Sequence, residues 1–433
     1  MRTLAVTLLS MFLLGAVSAA EQERAQVTKW REDVALLREQ LPKMHASLFH
    51  TMTRAQFESG FDALERALPG MTAGQVKLAI MRLVAMVNDG HTRVRLESLH
   101  NHVLPLKLHF FPDGLYVVSA AAPYADVVGG KVTRIGTMAA DDAYAAVRPL
   151  IPVDADNEGR RRMQAPSLLV MPEVLEAIGA TRSAELVEFT VSRDGREVTA
   201  TLPAERPGSW TDSGWPMDPH GWVSARAHAV NPAPLWLQHP EKPYWHAYLE
   251  HSKTLYVQYN QVQDDPAGVP IATYFPRLFQ EAAQRGVERV IIDVRVNGGG
   301  NNELNRPIWH ALIRNDRLNQ KGRLWVVTSP KPFSAAMNFV DDMELNTNAM
   351  FVGEPTGETP NMWGDPVSLT LPNSGIVVQA SALWWQLEGP RDHRPYRAPD
   401  VPAELSFADY ADNVDPVMQA IFAADGTTRA PPP

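Results

Sequence analysis

The chain has 433 residues, a formal net charge of −9 and no cysteine. Its length exceeds what one hydrophobic core serves, so two or three domains are expected. The acidic balance excludes an electrostatic grip on nucleic acid or an anionic membrane, and the missing thiols exclude disulfides and a cysteine nucleophile.

Residues 1–20 combine Arg2, an apolar run from Leu4 to Val17 and the small residues Val17-Ser18-Ala19-Ala20, the pattern of a cleaved secretory signal. The run is shorter than the roughly 20 residues a bilayer span needs, so an exported, periplasmic or secreted protein without a span in the mature chain is expected. Residues 21–98 read as a helical domain, with Trp30, Val34, Leu37 and Leu41, then Phe57, Phe61, Leu64 and Leu68, at helical spacing. Thr72 caps a further helix whose face is Val76, Ile80, Leu83 and Val84. That helix stops at Asn88-Asp89-Gly90 and leaves His91 in a turn.

Residues 99–205 change to short strands: Leu104 to Phe110, Leu115 to Ala120, Lys131 to Ile135, Leu186 to Val191 and Val198 to Leu202, with a helical insert between Asp141 and Ala180. Residues 206–243, dense in Pro, Trp, Gly and His, read as an irregular connector. From 244 to 425 the order alternates: strand Thr254 to Tyr259, helix Ile271 to Arg285, strand Arg289 to Val294, helix Asn305 to Arg314, strand Arg323 to Thr328, helix Ser334 to Leu345. Such alternation predicts a mostly parallel sheet covered by helices. Residues 426–433 are expected to be a disordered tail.

Two segments carry chemistry. Asp293-Val-Arg-Val-Asn297-Gly298-Gly299-Gly300 leaves an apolar strand, and its glycines let the backbone turn sharply and bare its amides. It lacks the Gly-Lys-Ser/Thr of a phosphate loop, which leaves an oxyanion hole or a plain tight turn. Ser334 opens a helix after a second strand, where it is either a simple N-cap or a nucleophile with the Ala335 N–H as oxyanion donor.

Together these segments resemble the tail-specific (C-terminal processing) and tricorn-like serine proteases. Asp293 to Gly300 is similar to the family's glycine turn and Ser334-Ala335-Ala336 to its nucleophile box, although Met337 stands where many members have Glu. Phe351-Val-Gly-Glu354-Pro-Thr356-Gly357 and Ala398-Pro399-Asp400-Val401 are similar to two later motifs. The resemblance implies an α/β multidomain fold: a helical N-terminal domain, a PDZ-like β domain with a helical insert, and a spiral catalytic domain of the crotonase and Clp-protease type. It implies a peptide or protein substrate, no cofactor, Ser334 as nucleophile, and Gly298, Gly299 and Ala335 around the oxyanion. Gly357-Glu358-Thr359-Pro360 has no lysine for a Ser/Lys dyad, whereas Asp89-Gly90-His91-Thr92 resembles the segment that carries the tricorn-like base, so His91 is the expected base. By position the third member is Asp392, with His393 and Glu388 nearby. Trp363, Trp385 and Tyr396, with Trp384, flank the site as a substrate surface or as core. No metal is expected, because His45 and His50, five apart, do not share a helix face. Two rival readings are a silent binding relative of the family and a crotonase-like enzyme of coenzyme A thioesters, which would not need Ser334 or an export signal.

Overall fold

A computed structural model describes residues 2–207 and 216–424, with side chains from residue 21 onward. The side chains of the expected signal, part of the expected connector and the expected tail lie outside the described residues. The chain divides into two compact units, residues 1–101, 149–152 and 365–383 in one and 102–148, 153–364 and 384–433 in the other.

The first unit opens with α1 (Arg2–Met44), α2 (Arg54–Ala67) and α3 (Ala73–Ala85). Thr53 and Thr72 each begin a reciprocal capping box, with Gln56 and Gln75 three residues on, which satisfies two otherwise orphaned N–H groups per helix. The predicted stripe is buried: Val34, Leu37, Leu41, Phe57, Phe61, Val76 and Ile80 are almost fully excluded from solvent. A two-residue strand, β1 (Arg93–Val94), follows the turn that carries His91. No helix among the described residues is long and apolar enough to cross a membrane.

The second unit begins with an antiparallel sheet. Its strands are β2 (Leu106–Phe111), β3 (Gly114–Ala121), β4 (Lys131–Ile135) and the short β5 (Met138–Ala139). The insert follows as α4 (Ala140–Val147), α5 (Glu158–Leu169) and α6 (Pro172–Ala177). Then come β6 (Leu186–Arg193), β7 (Arg196–Pro203) and β8 (Trp222–Ser224); β8 lies in the expected connector and pairs with β3. The main order is β2-β3-β4-β6-β7.

The rest of this unit is built on a six-stranded sheet. In chain order come β9 (Tyr244–Leu249), β10 (Thr254–Tyr259), α7 (Ile271–Gln284), β11 (Arg289–Asp293), α8 (Arg306–Ile313), β12 (Leu324–Thr328), α9 (Ala335–Asn346) and β13 (Met350–Gly353). After β14 (Met362–Thr370) and β15 (Val377–Trp385) the chain closes with β16 (Val401–Pro402), α10 (Phe407–Ala411) and α11 (Pro416–Ala424). The order is β16-β13-β12-β11-β10-β9, parallel except for the antiparallel edge pair β9 and β10. Strands β10 to β12 are apolar because both faces are covered. Val257, Val290, Ile292 and Val326 meet Phe275, Phe339 and Val340 on one side, while Tyr256, Ile291, Trp325 and Val327 meet Val417, Ile421 and Phe422 on the other.

Residues 365–383 return to the first unit, where β15 pairs antiparallel with β1 (Arg93 opposite Gln379) and β14 lies beyond it. Asp33 of α1 accepts the backbone N–H groups of Asn373 and Ser374 at 2.9 and 2.8 Å, tying that hairpin to the helices.

Candidate active site

The glycine turn at the end of β11 is set by two buried polar residues. Asp293 accepts from the Arg295 backbone N–H and from its guanidinium, whose other edge grips both oxygens of Asp415 at 3.2 and 3.0 Å; Tyr256 donates to Asp293 as well. Asn297, fully buried, donates to the Tyr259 carbonyl and accepts the Gly299 N–H at 2.9 Å. Gly299 (φ 102°) and Gly300 (φ 147°) need glycine for conformation and for space, since a Cβ on Gly300 would stand 2.2 Å from the Val262 carbonyl oxygen. The Gly299 amide is therefore spent on Asn297, a correction to its expected place among the oxyanion donors. Its work is to bring the turn against Ser334. Gly298 is exposed, and its N–H makes no hydrogen bond among the described residues.

Ser334 sits between β12 and α9 at φ 58°, ψ −127°, a backbone conformation that non-glycine residues avoid. Its hydroxyl does not cap α9. The first amides of that helix are otherwise provided for: Ala336 N–H donates to the Phe333 carbonyl at 3.1 Å and Met337 N–H to the Ser334 carbonyl at 2.8 Å. The Ala335 N–H has no hydrogen bond among the described residues. Of the two sequence readings of Ser334, the simple N-cap is thus removed.

The remaining motifs of this unit support the same loop. Gly357 lies under it, where a Cβ would come 2.0 Å from the Pro330 carbonyl oxygen. Thr328 Oγ1 donates to the Glu354 carbonyl at 2.8 Å, and Ser329 Oγ donates to the Arg295 carbonyl at 2.7 Å. Asp400 accepts the Phe351 N–H at 2.8 Å, which fixes β16 beside β13. From the insert, Arg160 on α5 donates to the Lys331 carbonyl at 2.9 Å and stacks over Phe333. Burial beside Arg160 pulls the Lys331 ammonium down to about 8.

His91 belongs to the first unit and is 5% exposed. Its backbone N–H donates to Asp89 Oδ1 at 2.9 Å, and Thr92 Oγ1 and Ser381 Oγ donate to Asp89 Oδ2 at 2.5 and 2.6 Å. His45 completes this anchor: its Nδ1 accepts the Ser47 N–H at 2.9 Å, so its proton is on Nε2, 3.1 Å from Asp89 Oδ2. Burial alone would raise the Asp89 carboxyl, but the bonds from His45, Ser381, Thr92 and His91 hold it down to about 2.

Asp392 is differently engaged. Its Oδ1 accepts the backbone N–H and Nε of Arg394 at 3.0 Å each, and its Oδ2 accepts Arg394 Nη2 at 2.6 Å, which lowers its pKa. The other edge of Arg394 grips both oxygens of Glu344, which Arg397 also pairs at 2.9 Å. Oxygens of Asp341, Glu344 and Glu388 lie within 4.8 Å of one another, the spacing of metal ligands, but Arg394 and Arg397 already bring positive charge to them. Burial and the facing Glu388, Glu344 and Glu358 push the Asp341 carboxyl well above the usual range. Trp363 packs on Trp384 with ring centres 4.6 Å apart, Gly364 lies against the Trp385 indole, and Tyr396 is exposed.

Sequence reasoning missed Asp89 and Glu358 as partners. Asp89 carried a signal, since an Asp two residues before a turn residue readily accepts its N–H, as Asp293 and Asp392 do before their arginines. Glu358, 24 residues after Ser334, accepts the Ser334 N–H at 2.5 Å and carried no local signal.

No protein-family model matches the chain, and no curated protein does. Among solved structures it is similar to mature CPAF complexed with lactacystin, at 14% identity over 93% of this chain and 99% of that one, TM-score 0.63. It is similar to a serine-to-alanine mutant of CPAF at 13% identity over 89% and 95%, TM-score 0.59. The tricorn protease is a looser match, at 12% identity over 93% of this chain and 37% of that one, and its TM-score of 0.37 carries no argument. Over nearly its whole length the chain has the fold of CPAF.

Proposed function

We propose that this chain is a serine peptidase of the tail-specific or tricorn-like type, cleaving peptide bonds through an acyl-enzyme on Ser334. The observation that carries the proposal is the uncapped Ser334 hydroxyl on a strained turn packed against Gly299, next to the unbonded Ala335 amide. His91 takes the proton from Ser334 and the oxygen attacks the substrate carbonyl. The Gly298 and Ala335 amides hold the oxyanion, and the imidazolium returns its proton to the leaving amine. Water, deprotonated by the same imidazole, then releases the acyl group.

Asp89 holds the turn that presents His91. Asp392 was assigned by position; with its lone pairs spent on Arg394, it braces that arginine against Glu344, and no proton step runs through it. A PDZ-like character for residues 99–205, a crotonase-like spiral for 244–425, export through residues 1–20, and a substrate surface including Trp363, Trp385 and Tyr396 belong to the same reading. The likeness to CPAF supports it at the level of fold.

A fluorophosphonate probe tests the proposal. Wild type should be labelled on Ser334, with Ser334→Ala unlabelled and His91→Ala slowed by about 10³-fold or more. A folded wild type that the probe never labels overturns the peptidase and leaves a ligand-binding relative.

A further inference from the structure

The strained backbone of Ser334 has a partner in the same unit. Its N–H donates to Glu358 Oε2 at 2.5 Å, and Glu358 is fully buried. We propose that Glu358 is a positioning residue for Ser334, taking the backbone N–H of the residue that opens α9 and so holding Ser334 in the turn that leaves its hydroxyl uncapped. The proposal rests on Ser334 being the nucleophile.

Three features carry it. A serine in front of a helix ordinarily gives its hydroxyl to the N–H of the second or third helical residue, and a hydroxyl so used is a poor attacking group. Here those amides go to the Phe333 and Ser334 carbonyls, and the serine is turned to φ 58°, away from the extended conformation of a capping residue. A carboxylate at a helix N-terminus is favoured by the helix dipole, and α9, with 12 residues, is long enough to have one. Glu358 is itself held, because Thr356 Oγ1 donates to its carbonyl at 3.1 Å and Gly357 is wedged beneath Pro330. The bond therefore joins the elbow to a fixed neighbouring turn and selects one orientation of Ser334.

Fluorophosphonate labelling rate, amide hydrogen exchange at residues 334–337 and thermal unfolding, measured on wild type, Glu358→Gln and Glu358→Ala, test the assignment. Glu358→Ala should slow labelling on the order of 100-fold, the effect of a nucleophile misplaced by about 1 Å, and lose exchange protection at Ser334. Glu358→Gln, which keeps an acceptor oxygen, should recover labelling to within about tenfold, with the pH midpoint of labelling unmoved. Full-rate labelling of Glu358→Ala overturns the proposal. So does a Glu358→Gln as slow as Glu358→Ala with a shifted pH midpoint, which would make the carboxylate a proton acceptor. An unlabelled wild type whose Ser334 amide still follows the Glu358 variants keeps the backbone lock and sinks the peptidase reading alone.

Discussion

A methyl group on Gly299 would stand 3.0 Å from the Cβ of Ser334 and 2.6 Å from the Phe333 carbonyl oxygen, so the glycine turn and the serine elbow touch with no space between them. Gly299→Ala should force them apart and also strain a residue at φ 102°, costing about 1–3 kcal/mol and slowing probe labelling on the order of 100-fold. Gly298→Ala meets no atom within 4 Å, so its stability should stay within about 0.5 kcal/mol of wild type. Equal melting temperatures for the two variants would contradict the contact.

Ser334 itself stores strain. Ser334→Ala keeps the positive φ and loses labelling, whereas Ser334→Gly loses labelling and relieves the backbone. The glycine variant should be the more stable of the two by about 1 kcal/mol in urea unfolding. If alanine proves as stable as glycine, the turn is relaxed.

Arg295 bridges Asp293 and Asp415 with little exposure, so removing it leaves two carboxylates buried without their counter-charge. Arg295→Met should cost about 3–5 kcal/mol. A loss below about 1 kcal/mol would mark the triad as solvated.

Asp89 gives the first unit an acid limb. Its folded pKa, about 2, lies below the ordinary 3.8, so its contribution is fully present above pH ~4 and is lost as pH falls through about 2. The contribution is roughly 2 kcal/mol. Hydrogen exchange of α2 and α3 should speed up across that window in wild type. Asp89→Asn should be weaker at neutral pH and nearly flat across it; an equally steep Asn variant would show that other groups control the limb.

Much of the fold was legible because burial writes itself locally. Strands β4 and β10 have the expected bounds, and β11 and β12 differ by one residue, since short apolar runs bounded by turn residues leave little choice. Thr72 likewise announced its helix. What failed was choice among chemically equal candidates. A serine before a helix with small neighbours fits both cap and nucleophile; the decision lies in its φ and in the partner of its N–H. Asp392 was picked by spacing, yet Arg394 two residues on repeats the Asp293-x-Arg295 clasp, a local competitor already visible in the residue order. The pairing of β1 with β15 had no sequence signal, because neither strand's pattern names its partner.

That long-range pairing also orders events in time. Asp89 draws one of its hydrogen bonds from Ser381, 292 residues further along, and β1 gains its neighbour only from β15. During synthesis from the N-terminus, the anchor beneath His91 is therefore completed only after Ser334 has left the ribosome. A nascent chain that ends between Ser334 and Ser381 holds both His91 and Ser334 but only a half-built seat for the first.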